Sequence, residues 1–208
     1  MTILKKKRPI DYIIYSVIIV VGILVDQLSK WLISSNMELR KPPLSPDTIP
    51  IIKNILHITY TTNDGAAFGM MDGPKERWIF IIVSTIAIIG FAVYLYLGHA
   101  DNMIYGVAMS IVVSGGIGNM IDRFGFGFYV NPETGIGEVI DFIDFCAFPK
   151  IWSAIFNVAD AFVCVGAGLL VLALILDLIK ESKQKKVIVE PAVEENEEEN
   201  SSDENKAE

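Results

Sequence analysis

The segment FNVADAFVCVGAGLLVLALILDLI, residues 156–179, decides the fold class of this chain. It is long enough to cross a bilayer as a helix, since a crossing takes about 20 residues. Asp160 lies near its start, although an ionised side chain is costly inside a membrane and usually faces a bundle interior or a water-filled cavity. The segment therefore predicts a membrane helix with a polar site at one end.

Three further apolar segments have similar length and character. They run over about 13–33, 78–97 and 103–121. Hydrophobic residues make up 52% of the 208 residues, which is too apolar for an ordinary soluble domain. A cleavable signal peptide is an alternative for the first segment, but that segment lacks a small-residue cleavage site and continues into DQLSKW. We predict an all-α polytopic membrane protein with four transmembrane helices.

The end of the chain differs in composition. Residues 187–208 hold nine acidic residues and one lysine, which accounts for the whole formal net charge of −8. Such a polar segment cannot bury enough apolar surface to fold. We predict a membrane domain over residues 1–186 and a disordered acidic tail over 187–208, and the charge gives no indication of nucleic acid as a partner.

Basic residues flank the predicted membrane domain. KKKR at 5–8 precedes the first helix, and lysines 180, 183, 185 and 186 follow the fourth. Clustered basic residues in short flanks favour the cytoplasm, and four spans place both ends on one side. The connection over 36–77 also holds five basic residues, but short flanks count for more than long loops. We expect both termini in the cytoplasm.

The two connections on the far side carry the remaining features. Residues 36–77 include NILHITYTTNDGAAFG, whose β-branched, partly alternating residues predict short strands that end in a turn at 63–65. We therefore expect a small β-rich extracytoplasmic platform between helices 1 and 2. The second connection, 124–153, is rich in glycine and aromatic residues and is expected to be a loop at the membrane surface.

Polar residues of the predicted helices cluster near one end of the bundle. Asp26 and Lys30 lie late in the first helix, Asn119 late in the third, and Asn157 and Asp160 early in the fourth. Helices 1 and 3 run outward and helix 4 runs inward, so all five lie near the outer face. Structural interpretations are open too: the first two can be an internal ion pair, and the asparagines can join helices.

No basic residue lies within one turn of Asp160 in its own helix, so its partner must come from elsewhere. Two carboxylates in a partly dry site share a proton, and one then acts as base and the other as acid. Such a pair can activate water for attack on an amide. Asp122, Asp141 and Asp144 are the candidate partners, and residue chemistry leaves the choice open. Arg123 can mark the interface or hold a carbonyl or a phosphate.

Two other functions fit some of these features. A proton- or ion-coupled transporter also uses intramembrane acids, but it would need polar residues through the full membrane depth and internal repeats. A non-enzymatic assembly factor would need no paired acids. With two cysteines and two well-separated histidines, the sequence predicts no metal site and no cofactor.

Five motifs resemble, in order and in topology, those of the lipoprotein signal peptidases (signal peptidase II). They are DQLSK at 26–30, NDGAAFG at 63–69, GGIGNMIDR at 115–123, VIDFIDF at 139–145 and FNVAD at 156–160. The resemblance covers about residues 12–180. In that family, two membrane-embedded aspartates remove the signal peptide of bacterial prolipoproteins, after a diacylglyceryl group has been attached to the cysteine that becomes the new N-terminus.

The resemblance implies that Asp141 and Asp160 are the catalytic pair. It matches Asp26 and Lys30 to a polar pair in the first helix. It also implies a substrate pocket, whose lining positions are matched by Asn63, Gly65, Gly115, Asn119, Arg123 and Asn157. The implied partners are a lipid-modified prolipoprotein and membrane lipids; we expect a monomer in the bacterial inner membrane, with its site near the outer face. The stretch between Arg123 and Asp141 is longer than is usual in the family.

Overall fold

The computed structural model describes residues 8–39, 47–65, 74–97, 103–148 and 154–204. Its helices are α1 (Pro9–Asn36), α2 (Pro74–Tyr96), α3 (Met103–Arg123) and α4 (Val158–Glu204). Each contains a segment long and apolar enough to span a membrane, over residues 9–36, 78–96, 103–123 and 158–182. The four predicted spans are therefore confirmed. Their ends differ from the predicted ones by a few residues.

Helix α3 is the most buried of the first three helices. Of its apolar window, 56% is buried, against 17% for α1 and 11% for α2. Its small residues allow this close packing: a Cβ on Gly115 would collide with the carbonyl oxygen of Ala159, and one on Gly106 would collide with Tyr15. The glycines of α3 thus let α1 and the start of α4 contact its backbone.

Four strands form one antiparallel sheet in the order β1-β2-β3-β4. They are β1 (Thr48–Ile52), β2 (Leu56–Asn63), β3 (Val139–Phe145) and β4 (Ile155–Phe156). The predicted platform between the first two helices is thus present as β1 and β2. The expected surface loop over 124–153 is wrong for residues 139–145, because this apolar, β-branched stretch pairs along β2. That pairing covers an edge of β2 that would otherwise be open.

A small apolar cluster holds the sheet against the end of α1. Met37, which follows α1, is buried with Tyr60 of β2 and with Ile140 and Phe142 of β3. Because side chains of a strand alternate between faces, Ile140 and Phe142 point to one side of β3 and Asp141 to the other. The cluster therefore fixes the strand that carries Asp141.

The chain divides into two compact units, Met1–Leu169 and Leu170–Glu208. All of the candidate site residues belong to the first unit. The helical backbone of α4 continues to Glu204, and its side chains are described up to Ser182. The boundary at residue 186 and the disordered state of 187–208 stay predictions.

Candidate active site

Asp160 lies in the first turn of α4, where it closes the helix start together with Asn157. The Oδ1 atom of Asn157 accepts the Asp160 N–H at 3.0 Å, and the Asp160 Oδ2 atom accepts the Asn157 N–H at 3.2 Å. This reciprocal pair is a capping box. The N–H of Ala159 donates to Asp26 Oδ1 of α1 at 3.0 Å. The start of α4 is therefore fixed both by its own sequence and by α1.

Asp141 lies on β3 and meets the same asparagine. Asn157 Nδ2 donates to Asp141 Oδ1 at 2.6 Å, and Asn63 Nδ2 donates to Asp141 Oδ2 at 3.1 Å. The carboxylate is 3% exposed. Asn157 thus contacts both Asp141 and Asp160, and the structure brings these two carboxylates into one site.

The other two candidate partners of Asp160 contact different residues. Asp144 is three residues from Asp141 in the same strand, so the two side chains point to opposite faces, and Asp144 accepts a hydrogen bond from Thr59 Oγ1 at 3.0 Å. Asp122 is buried and lies 2.6 Å from the Lys30 ammonium. These contacts separate both residues from the pair formed through Asn157.

Lys30 is the centre of a buried polar network. Its side chain is fully buried, and its Nζ atom lies 2.8 Å from Asp26 Oδ2, 2.6 Å from Asp122 Oδ2 and 3.0 Å from Asn119 Oδ1. The contacts with Asp26 and Asn119 are hydrogen bonds, and the contact with Asp122 is an ion pair. The predicted ion pair in α1 is therefore present, and α3 adds a second carboxylate to it.

Three asparagines are oriented so that their N–H groups face the aspartates. Asn119 Oδ1 accepts from Lys30 and from Asn157 Nδ2, at 3.0 and 3.1 Å. Lysine can only donate, so the amide of Asn119 must face Asp160, to which it donates at 2.8 Å. Asn63 Oδ1 accepts the Gly65 N–H at 3.0 Å, which turns its amide toward Asp141 in the same way.

Arg123 joins the end of α3 to the turn that follows β2. Its Nη2 atom donates to the Gly65 carbonyl at 3.1 Å, and its Nη1 atom donates to the Asn119 carbonyl at 3.4 Å. The guanidinium lies 4.9 Å from the centre of the Phe80 ring, within the range of a cation–π contact. Of the alternatives considered for Arg123, the structure shows a carbonyl contact.

Gln27 is a network residue that sequence reasoning missed. Its Nε2 atom lies 3.2 Å from Asp26 Oδ2, from the Gly118 carbonyl and from Asp122 Oδ1. It therefore links the two carboxylates that flank Lys30. Its place inside the DQLSK motif was a local signal, but an uncharged amide between Asp26 and Lys30 does not by itself indicate a role in a site.

The environment of Asp141 favours its protonated form. Burial, and then the negative charge of Asp160, raise the pKa of Asp141 to about 7, although hydrogen bonds from Asn63 and Asn157 oppose the rise. Two adjacent carboxylates whose environments differ can hold one proton between them. Near neutral pH such a pair contains a base and an acid at the same time.

Fold and site define a class: a four-span membrane protein in which one asparagine, Asn157, hydrogen-bonds to two aspartates at one end of the bundle. A family model described as Signal peptidase (SPase) II matches residues 18–176. The chain belongs to this family and is a membrane peptidase. The transporter and assembly-factor alternatives are therefore set aside.

Individual relatives agree with the family match. The lipoprotein signal peptidase of Clostridioides difficile is 38% identical over 174 residues, which cover 83% of this chain and 99% of the relative. That of Bacillus subtilis is 36% identical over 172 residues, with coverage of 83% and 99%. A solved structure described as a bacterial membrane enzyme has a TM-score of 0.64 and 31% identity, and the match covers 79% of this chain and 88% of that one.

Proposed function

We propose that this peptidase removes the signal peptide of diacylglyceryl-modified bacterial prolipoproteins and cleaves before the lipidated cysteine. Asp141 and Asp160 are the catalytic pair. The observation that carries the proposal is Asn157, which hydrogen-bonds to both carboxylates at one end of the helix bundle. The substrate class is supported by the curated relatives, which are named lipoprotein signal peptidases.

In the proposed reaction, Asp160 is the ionised member that takes a proton from water. The first turn of a helix favours negative charge, and Asp160 receives hydrogen bonds there from Asn119 and Asn157. The resulting hydroxide attacks the carbonyl carbon while protonated Asp141 gives its proton to the carbonyl oxygen. When the tetrahedral intermediate collapses, the proton on Asp160 passes to the leaving nitrogen and Asp141 regains its own.

The remaining candidates hold the pair and the substrate. Asp26 and Lys30 are fully buried and stabilise the site residues from inside the bundle. Asp26 accepts a hydrogen bond from the N–H of Ala159, and Lys30 donates one to Asn119. The sheet next to Asp141 is the platform for the substrate backbone. The proposed substrate pocket is lined by Asn63, Gly65, Asn119, Arg123 and Asn157, and Gly115 supports it by letting the start of α4 pack against α3.

The test of this function is the cleavage of a purified lipidated precursor in detergent or in vesicles. Mass spectrometry should find one cut, with the lipidated cysteine as the new N-terminus. The same precursor without its diacylglyceryl group serves as the control, and it should be cleaved far more slowly. A cut at another peptide bond, or equal rates on both precursors, would contradict the proposed substrate class.

The pH dependence of the rate should report the shared proton. Above about pH 7 Asp141 loses its proton, so the general acid disappears and the rate should fall. Asn63 stabilises the ionised form of Asp141. In Asn63→Ala the alkaline limb of the pH–rate profile, where the rate falls, should therefore move to higher pH. A shift of about one to two pH units is expected, because a hydrogen bond to a charged group contributes about 1.5–3 kcal/mol and one pKa unit is about 1.36 kcal/mol.

Thr62→Ala is the matched control for this measurement. Thr62 is the neighbour of Asn63 in β2, and its side chain points to the other face of the strand. Its alkaline limb should coincide with that of the unsubstituted protein. An alkaline limb in Asn63→Ala that stays in place or moves to lower pH would remove Asp141 as the titrating acid.

We further propose a monomer with both termini in the cytoplasm and its site near the outer face of the inner membrane. A glutamyl-specific protease added to inside-out vesicles should remove the acidic tail and lower turnover by no more than about threefold, since so polar a segment has little apolar surface to pack against the rest of the protein. Right-side-out vesicles should protect the tail. Loss of the tail in right-side-out vesicles would show that the orientation is the opposite one. Lost turnover after trimming would show that the tail supports the fold. A dimer in native mass spectrometry would contradict the monomer.

A further inference from the structure

The stretch FGFGF at 124–128 follows α3 directly, and the site makes no use of its phenylalanines. Phe124 is 49% exposed, Phe126 82% and Phe128 46%. We call these three side chains the phenylalanine strip. If water surrounded these three rings, their apolar surface would stay hydrated and would add no hydrophobic stabilisation. The strip therefore needs an explanation outside the packing of the protein itself.

The local backbone forces these rings outward. A Cβ on Gly127 would collide with the Asp122 carboxylate. Gly125 has a φ of +81°, a conformation that favours glycine. The backbone is thus pressed against the end of α3, and glycine occupies the positions between the rings. Tyr129, which follows Phe128, instead packs against the apolar cluster that holds the sheet against α1.

In the chain, the strip follows directly on a membrane-spanning helix. It begins one residue after the end of the α3 span. Trp31, late in α1, and Trp78, early in α2, are 46% and 56% exposed and belong to the same end of the bundle by chain direction. Aromatic side chains at the ends of spans commonly form a belt at the membrane interface.

We propose that the phenylalanine strip inserts into the lipid leaflet beside the site and anchors the loop that leads to Asp141. Its partner is the phospholipid bilayer itself rather than another protein. The support for lipid is that the strip directly follows the α3 span in the chain, and that residues 124 to 132 include no charged residue. Apolar faces at an interface lie about 5–10 Å into the boundary between headgroups and acyl chains, which sets the depth expected for Phe126.

Anchoring at this point bears on the catalytic strand. Gly137, which precedes β3, lies so close to the end of α3 that a Cβ there would collide with the Asp122 carbonyl oxygen. Val130 and Gly137 form a β-bridge, and Asn131 donates a hydrogen bond to buried Glu138. The loop is therefore a closed hairpin that connects the strip to the start of β3. Insertion of the strip would hold Asp141 at a constant height above the acyl chains.

The test is a depth measurement on the full-length protein in phospholipid vesicles. Cys146 and Cys164 are first replaced with alanine, and an environment-sensitive fluorophore is attached to a cysteine in Phe126→Cys. Glu133→Cys, in the exposed turn of the same hairpin, is the matched control, and Leu28→Cys on the exposed face of α1 is the embedded reference. Quenching by lipids with a nitroxide near the headgroup is compared with quenching by iodide in the water.

The label at 126 should be quenched by the shallow nitroxide lipid at least about threefold more than the label at 133, because an interfacial apolar group lies at that depth. Iodide should show the reverse order. Equal iodide access at 126 and 133 would overturn the proposal. Protection from iodide without quenching by the lipid would also overturn it, because it would show that protein covers the strip. Both outcomes are independent of whether Asp141 and Asp160 are catalytic.

Discussion

Asparagine in place of Asp141 or Asp160 should lower kcat by at least about 10²–10³, the scale of a lost general acid or base. The substitution keeps the size of the side chain and removes the group that exchanges a proton. In the proposed reaction Asp160 must accept a proton from water while Asp141 donates one. Neither step is open to an amide, so each single variant should lose most of the rate.

The double variant should be scarcely slower than either single one, because residues that act as a unit are strongly non-additive. An amide at 141 also brings one N–H toward the N–H groups of Asn63 or Asn157, so some loss of stability is expected. Thermal unfolding of each variant separates that loss from the chemical one. Two independent, multiplying rate losses would contradict a pair that shares one proton.

Lys30→Met should cause the largest loss of stability among the network substitutions. Removal of the ammonium leaves Asp26 and Asp122 buried together without a counter-charge and takes one of two donors from Asn119. Breaking a buried ion pair in this way costs about 3–5 kcal/mol. This cost is measured from the thermal or denaturant-induced unfolding of the purified protein in detergent.

Asp26→Ala is the comparison variant for Lys30→Met. It leaves Lys30 paired with Asp122, so the loss should be smaller and should appear mainly as a lower protein level. Asp122→Asn in the Lys30→Met background should restore part of the lost stability, because one of the two unpaired charges is removed. A Lys30→Met protein more stable than Asp26→Ala would contradict the network. A stable Asp26→Ala protein without turnover would place Asp26 among the catalytic residues.

Local sequence properties were sufficient for the membrane part of the fold. Apolar length alone predicts the four spans, because a bilayer imposes its thickness on every helix. Chain direction then places Asp26, Lys30, Asn119, Asn157 and Asp160 at one end of the bundle, and the structure brings these five into one hydrogen-bonded network.

Contacts between residues that are distant in the sequence could not be predicted from local sequence properties. Strand β3 pairs with β2, from which a helical hairpin separates it in the chain, so VIDFIDF was expected to be a loop. Until that stretch is known to be a strand, Asp141 and Asp144 cannot be assigned to opposite faces. Asp122 of α3 contacts Lys30 of α1, and no local spacing in the sequence indicates this contact between two helices.

Some missed features did have a local signal. Asn157 and Asp160 have the spacing of a capping box, which is one reason for a carboxylate at the start of a membrane helix. The alternation of glycine and phenylalanine at 124–128 also indicates a backbone pressed against another element. The orientation of the three asparagines, in contrast, depends on donors from Lys30 and Gly65 and required the structure.

The most direct test of the aspartate pair is a single-turnover cleavage of the lipidated precursor by Asp141→Asn and Asp122→Asn side by side, with Asp144→Asn as the matched control in β3. Each protein is first shown to be folded by its unfolding transition. Asp141→Asn should lose at least about 10²-fold in rate, whereas Asp144→Asn should show a milder loss. The folded fraction of Asp122→Asn should keep most of its activity. Activity that survives in Asp141→Asn but vanishes in stably folded Asp122→Asn would contradict the account and make Asp122 the partner of Asp160.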